Sequence, residues 1–226
     1  MNGKILNLSL IILSGILFIV ALYLVFMWVP TEANQGIVQR VFYFHVPSAW
    51  VAFLAFFLVF LGGLVYLKTR DPRWDIMAYS AAEIGVVFTT ITLISGVIWA
   101  KPIWFVWWTW DARLTSTLVL WLMYVGYLLV RAYAPASQGP AFGAILGIIG
   151  FVDVPIVFLS IRWWRVQHPT PVIGGGSDAG LPGSMLLTLM VSLAAFTVLF
   201  ALLLRLRYSL RQMEGEIEEL KLGGGI

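Results

Sequence analysis

Two histidines and a run of tryptophans are the residues of this chain best suited to chemistry. The 226-residue sequence holds only two histidines, His45 and His168, and each is followed closely by a proline. A neutral imidazole is a common ligand of transition metals, and indole rings offer large apolar surfaces. Four indoles are clustered within seven residues, as Trp104, Trp107, Trp108 and Trp110. These residue types predict a site for a flat, apolar, metal-containing ligand if the fold brings them together.

The composition predicts how those residues are positioned. Hydrophobic residues make up 61% of the chain and charged residues 11%, whereas soluble proteins carry about 25% charged residues. A membrane-spanning helix needs about 20 mainly apolar residues. Six such runs lie at about 5–28, 47–67, 77–99, 114–131, 141–160 and 185–204. We therefore predict an all-α integral membrane protein, in which residues 1–226 form one bundle of six transmembrane helices with a short tail at 205–226.

Several classes of function are excluded by composition. The chain has no cysteine, so disulfides, thiolate zinc sites, iron–sulfur clusters and covalent haem attachment through C-x-x-C-H are ruled out. The net charge is only +3 and no basic patch suggests nucleic-acid binding. There is no phosphate-binding G-x-x-x-x-G-K-[ST] motif. The first apolar run is too long for a signal-peptide core and is followed by Pro30-Thr31-Glu32, so we expect it to be a retained span.

The distribution of basic residues predicts the orientation. With six spans, nine lysines and arginines fall on the side of the termini and five fall on the other side. Because positive charge concentrates on the cytoplasmic side, both termini are expected in the cytoplasm. The loops after spans one, three and five then share the outer face. His45 is expected at the end of the first of these loops, the tryptophan cluster lies in the second, and His168 lies in the third.

The tryptophans on this face have a simpler explanation, which must be weighed. Tryptophan concentrates at membrane interfaces in general, which accounts for Trp28 and Trp50. It explains the cluster at 104–110 poorly, because an aromatic belt normally marks both interfaces and only Trp74 marks the opposite one. Nine of the 11 tryptophans lie in or beside the three outer loops.

A large, flat, apolar dianion would fit this set of residues, and haem is such a ligand. Imidazoles can bind its iron, indoles can cover its ring, and basic side chains can pair with its propionates. The basic residues with the right charge on the right face are Lys101, Arg113, Arg162 and Arg165. Asp111 has the wrong charge for a propionate, so we expect it to cap span four and organise the loop.

Three segments resemble a known family. Trp104–Ser116 resembles the tryptophan-rich "WWD" motif of haem-handling membrane proteins, while Val41–Trp50 and Trp163–Pro169 resemble its two flanking histidine motifs. With six spans and this length, the chain resembles the haem exporter protein C family of system I cytochrome c maturation. The family usually has a glycine and a small residue where Phe105 and Val106 stand. Its histidine loop often continues with Gln-Pro, where this chain has Pro169-Thr170-Pro171.

The resemblance implies a role without a catalytic constellation. It implies that haem b is bound transiently and non-covalently at the outer face of the bacterial inner membrane and is passed to a periplasmic haem chaperone. His45 and His168 are the implied axial ligands of the iron. The residues implied to surround the haem are Trp104, Trp107, Trp108, Trp110, Asp111 and Arg113. The implied partners, besides membrane lipid, are the ATPase and permease subunits of an ATP-binding cassette transporter and a small single-span protein; nucleic acid is not among them.

Two alternatives remain open at this point. A membrane b-type cytochrome would transfer electrons, although such proteins usually place their histidines within spans. A haem-free structural or permease subunit would use its tryptophans as interface anchors. Two acidic residues inside predicted spans, Glu83 and Asp153, are expected to have structural roles. Asp153 and the nearby Pro155 predict a kink in span five.

Overall fold

The computed structural model describes residues 2–135, 137–164, 168 and 180–223. Within these ranges the regular structure is helical apart from one isolated bridge between Glu32 and Gly36. The helices are α1 (Asn2–Tyr23), α2 (Phe42–Thr69), α3 (Pro72–Trp104), α4 (Ala112–Tyr133), α5 (Gly139–Phe151), α6 (Asp153–Trp163) and α7 (Gly183–Gly223). A π-helical turn at Leu24–Trp28 extends α1, and a 3-10 turn at Ile37–Val41 leads into α2.

Six stretches of the described chain are long and apolar enough to cross a membrane. They are α1 with its π-helical turn, the 3-10 turn with α2, α3, α4, α5 together with α6, and α7. The predicted all-α architecture with six spans is therefore confirmed. Each predicted span lies within one of these stretches, because about 20 apolar residues can enter the hydrocarbon only as a helix that satisfies its own backbone.

The helices extend beyond the apolar runs, and this corrects two expectations. Span two was expected to begin at Pro47, but α2 begins at Phe42, so His45 lies inside a helix and not in a loop. Likewise, Trp104 is the last residue of α3 and not part of a loop. Helix α7 continues without a break into the expected tail, as far as Gly223. Apolar runs mark the hydrocarbon thickness, whereas a helix can continue into the polar interface.

The core joins α2 to the helices around it. Helix α2 packs mainly against α3 and α5, while α1 packs against α7. At the centre, the ring of Phe56 stacks on Tyr124 of α4, with centroids 3.6 Å apart. The Tyr124 hydroxyl donates a hydrogen bond to the carbonyl of Gly147 in α5 at 3.1 Å. The glycine at position 85 of α3 leaves the space that the Phe56 ring fills.

Span five is broken where the sequence predicts a kink. Helix α5 ends at Phe151 and α6 begins at Asp153, with Val152 between them. Pro155 has no N–H to donate to the carbonyl of Phe151, which weakens the helix at this point. The carboxylate of Asp153 is buried, and its Oδ2 has no hydrogen-bond partner among the residues that the structure covers.

Ion pairs connect the helices at one end of the bundle, which we call the basic end. Glu83 of α3 accepts hydrogen bonds from Arg207 and Arg211 of α7, each at 2.6 Å. About two turns closer to the start of α3, Asp75 accepts from Arg131 of α4 at 2.7 Å. The ion pairs of Glu83 with two arginines of α7 fit the structural role expected of it. The opposite end, which holds His45, His168 and the tryptophan cluster, is called the aromatic end.

Candidate functional site

A cavity opens at the aromatic end between α2, α3, α4 and α6. It encloses about 920 Å³ of space between protein atoms, with the open solvent at its mouth included. Seven of the eight residues proposed from the sequence line it: His45, His168, Trp104, Trp107, Trp108, Asp111 and Arg113. The structure thus brings the three predicted segments together.

The two histidines face each other across this cavity. Their ring centroids are 6.3 Å apart and the ring planes are inclined by 37°. An imidazole nitrogen lies about 2 Å from a bound metal and about 1 Å from its own ring centroid, so two imidazoles on opposite sides of one iron have centroids roughly 6 Å apart. The observed separation therefore suits two axial ligands of a single iron atom.

His45 is held in place by one face of α3. It is buried, and its Nδ1 lies 3.0 Å from the hydroxyl oxygen of Ser95. The indole of Trp99 meets the imidazole edge to face, with centroids 5.8 Å apart. Gly96 allows this close approach, since a Cβ atom there would lie 3.0 Å from Cε1 of His45. The Trp99 Nε1 in turn donates to Gln35 Oε1 at 2.9 Å, which ties the segment before α2 to α3.

The tryptophan loop between α3 and α4 is organised by Asp111, as expected. Its Oδ1 accepts hydrogen bonds from the backbone N–H groups of Arg113 at 2.9 Å and Leu114 at 3.1 Å, which makes it the N-cap of α4. Its Oδ2 accepts from the hydroxyl of Thr109. A carboxylate at this position satisfies the free N–H groups of the first helical turn and complements the helix dipole.

The four clustered tryptophans lie in different positions. Trp104, Trp107 and Trp108 line the cavity. Trp108 Nε1 is buried and has no hydrogen-bond partner within the described ranges. Trp110 does not line the cavity: 71% of it is exposed, and it packs edge to face against Trp108 with centroids 5.5 Å apart. One tryptophan is therefore presented outward while three face the ligand space.

The structure describes three of the four basic residues proposed for the propionates, and it places them differently. Arg113 lines the cavity, and its Nη1 donates to the carbonyl of Val157 at 3.3 Å. Lys101 donates to the Phe105 carbonyl at 3.0 Å and does not line the cavity. Arg162, in the last turn of α6, does not line it either. Arg165 lies outside the described residues, as do residues 169–179 with the Pro-Thr-Pro segment and most of the glycine-rich loop.

Sequence reasoning missed the part of the cavity wall that comes from inside the bundle. His45 is surrounded by three residues of α3, namely Ser95, Gly96 and Trp99. Val157 of α6 also lines the cavity. A usable signal was the placement of two small residues one helical turn before a tryptophan, which puts all three on one face. That signal is weak, because a helix that is apolar on all sides does not show which face is turned inward.

Comparisons with known proteins found a matching family model and several relatives. The family model described as "Heme exporter protein C" matches residues 1–222. A protein of that name from Bradyrhizobium diazoefficiens is 36% identical over 175 residues, which are 77% of this chain and 66% of the relative. The one from Haemophilus influenzae is 31% identical over 186 residues, 82% of this chain and 76% of the relative. The one from Escherichia coli K12 is 36% identical over 144 residues, 63% of this chain and 59% of the relative. The matches thus span about two thirds of the length of these relatives.

Proposed function

The chain belongs to the haem exporter protein C family, and from this premise we propose that it handles haem during cytochrome c maturation. Haem is its cargo, bound without a covalent bond in the cavity at the aromatic end. His45 and His168 bind the iron from the two sides, and haem b is then passed to a haem chaperone. The protein acts as a binding and transfer factor and not as an enzyme.

The observation that carries the proposal is the histidine pair at the mouth of an apolar cavity. A ring-centroid separation of 6.3 Å suits two axial ligands of one iron. Trp104 and Trp108 offer apolar and aromatic surface to a porphyrin that enters between the rings. Burial of such surface stabilises a bound ligand by about 25 cal/mol per Å².

Arg113 is the proposed partner of a haem propionate. It lines the cavity, and a guanidinium can form two parallel hydrogen bonds with one carboxylate. Asp111 has a supporting role, because its carboxylate oxygens are bonded to the backbone of α4 and to Thr109. It holds the tryptophan loop and Arg113 in position without contacting a dianionic ligand.

A transfer factor has to capture haem and also release it, and the exposure of the site suits both tasks. Trp107 is 58% exposed and Trp110 is 71% exposed, so the rim of the cavity is open and aromatic. We propose that the chaperone docks on this rim. A fully enclosed site would bind haem more tightly but would leave no path for a direct transfer.

The proposed setting is the bacterial inner membrane, with the aromatic end on the periplasmic side and both termini in the cytoplasm. The excess of basic residues on the side of the termini, nine against five, supports this orientation. The proposed partners in the membrane are the ATPase and permease subunits of an ATP-binding cassette transporter and a small single-span protein. ATP hydrolysis belongs to the ATPase subunit, since this chain has no Walker-type motif.

The test is the absorption spectrum and pyridine haemochrome of the purified protein. We compare the unaltered chain with His45→Ala and His168→Ala, and use Ser48→Ala as the control because Ser48 is buried in α2 one turn after His45 but does not line the cavity. A six-coordinate b-type spectrum that is lost or shifted in both histidine variants, and kept in the control, is expected. A protein that stays haem-free in haem-replete cells, or identical spectra in all variants, contradicts the proposal.

A further inference from the structure

We propose that Ser95 is a positioning residue, whose hydroxyl keeps the proton of His45 on Nδ1 and leaves Nε2 free to bind iron. The inference deepens the proposed function and rests on it, because it takes His45 as an iron ligand. An imidazole has two nitrogens, and only the one without a proton can coordinate a metal. The partner of the other nitrogen therefore decides which atom faces the iron.

The two contacts of Ser95 favour one tautomer of His45. Its hydroxyl oxygen lies 3.0 Å from Nδ1 of His45 and 3.2 Å from the carbonyl oxygen of Thr92. A carbonyl oxygen can only accept, and a serine hydroxyl has a single proton to donate. In the arrangement that makes both contacts hydrogen bonds, Ser95 donates its proton to Thr92 and accepts from His45. Nδ1 then carries the imidazole proton, and the lone pair is on Nε2.

Other hydroxyls of α3 show that this geometry differs from the usual one. Ser80, Thr89 and Thr92 each donate to the carbonyl four residues earlier, at 2.7–2.8 Å. Ser95 uses instead the carbonyl three residues earlier, with a longer bond, and faces a ring nitrogen 50 residues away in sequence. A serine that served only its own helix would need no such contact.

The neighbours of Ser95 prevent the imidazole from turning over. Gly96 lies against Cε1, and Trp99 packs on the ring from the next turn of α3. A flipped ring would lose the bond to Ser95. Position, rotation and tautomer of His45 are thus set by three residues on one face of α3.

The kind of acceptor also matters for release. A histidine ligand commonly donates its second N–H to a carboxylate, a carbonyl group or water. A neutral hydroxyl increases the electron-donating strength of the imidazole less than a carboxylate does. The iron is therefore held with the correct geometry but with a moderately strong bond, which suits a protein that must give its haem away.

The test measures the midpoint potential of the bound haem and its rate of loss to apomyoglobin. In Ser95→Ala the imidazole is a weaker donor, so ferric haem should dissociate about tenfold faster, in line with typical effects of outer-sphere partners. If ferric binding alone weakens tenfold, the potential rises by about 59 mV. Ser95→Asp should shift both quantities in the opposite direction. Ser80→Ala is the control, because this buried serine of α3 bonds only its own helix.

The outcomes separate the two proposals. The inference is supported if the midpoint potential and the rate of haem loss shift in opposite directions in Ser95→Ala and Ser95→Asp and stay unchanged in Ser80→Ala. If one Ser95 variant fails to fold, the other variant decides. If His45→Ala alters the spectrum but neither Ser95 variant changes the potential or the rate, the inference is overturned and the proposed function stands. If His45→Ala leaves the spectrum unaltered, both are overturned.

Discussion

Arg113 joins two helices across the cavity at the aromatic end: its Nη1 donates a hydrogen bond to the carbonyl of Val157 in α6 at 3.3 Å. A guanidinium has five donor hydrogens, so this long bond occupies a small part of its capacity. The cation is kept beside the ligand space by a bond to the backbone of α6 and by its place in the first turn of α4. A propionate that enters the cavity can therefore bind a side chain that is already oriented.

Removing this cation should weaken haem binding. In Arg113→Ala we expect about tenfold lower affinity in haem titrations, since a hydrogen bond to a charged group contributes about 1.5–3 kcal/mol. Arg113→Lys should give an intermediate value, because lysine keeps the charge but not the planar fork. Arg70→Ala is the control, because this arginine follows α2 at the basic end, where its guanidinium lies over the ring of Tyr66. Equal losses in Arg113→Ala and Arg70→Ala would disprove the assignment.

Two tryptophans of the loop should have separable effects. Trp104 lines the cavity, so Trp104→Ala is expected to lower haem occupancy by several-fold. Trp110 lies outside the cavity and is exposed. We expect Trp110→Ala to keep the haem spectrum but to slow transfer to the chaperone. The rate of transfer is measured from the appearance of haem on the chaperone. Haem that cycles with a quinol and never leaves the protein would point instead to a b-type cytochrome.

The packing between α2 and α3 predicts a position where a single methyl group is not tolerated. A Cβ atom at Gly85 would clash with the ring of Phe56, and that ring cannot withdraw because it stacks on Tyr124. Gly85→Ala should reduce the free energy of unfolding by about 1–3 kcal/mol. Gly126→Ala is the control: no atom lies within 4 Å of its Cβ position, and alanine favours the helix by roughly 0.5–1 kcal/mol. Thermal unfolding in detergent distinguishes them, and equal melting temperatures would refute the packing argument.

Two aspartates near the start of α3 should differ strongly in their contribution to stability. Asp75 pairs with Arg131, and their side chains are only 11% and 10% exposed. Asp75→Asn leaves a buried arginine without its counter-ion, which costs about 3 kcal/mol or more. Asp71 pairs with Arg73, which is 75% exposed, so loss of that pair should hardly change the stability. Denaturation of Asp75→Asn and Asp71→Asn in the same detergent measures the difference in stability. Similar unfolding midpoints of the two variants would contradict the prediction.

The six spans could be predicted from sequence because the hydrocarbon imposes one length and one secondary structure. The helix ends could not, because polar interface residues can belong to a helix or to a loop. His45 shows the consequence: the sequence places it at a loop end before Pro47, whereas α2 has already begun at Phe42. The kink at Asp153 was predictable because a proline removes a hydrogen-bond donor whatever the tertiary context.

The residues that the chain brings to the aromatic end were easier to predict than those that line the site from inside the bundle. The alternation of sides along a six-span chain brings His45, His168 and Trp108 to one end, and this needs no knowledge of packing. Finding Ser95 requires the rotation of α3 about its own axis, which a uniformly apolar helix does not reveal. The backbone conformation of Phe105 could not be predicted from the sequence either. Its φ of 60° is the left-handed conformation that favours glycine, which is the residue that the resembling family usually has there.

Helix α3 connects the ion pair of Glu83 with the wall around His45. The 17 residues from Glu83 to Trp99 form one unbroken helix, and its 16 steps of 1.5 Å make it about 24 Å long. Arg207 and Arg211 join the Glu83 end of this stretch to α7. The contacts with α7 and the wall around His45 therefore belong to one continuous element, which ties the basic end of the bundle to the aromatic end.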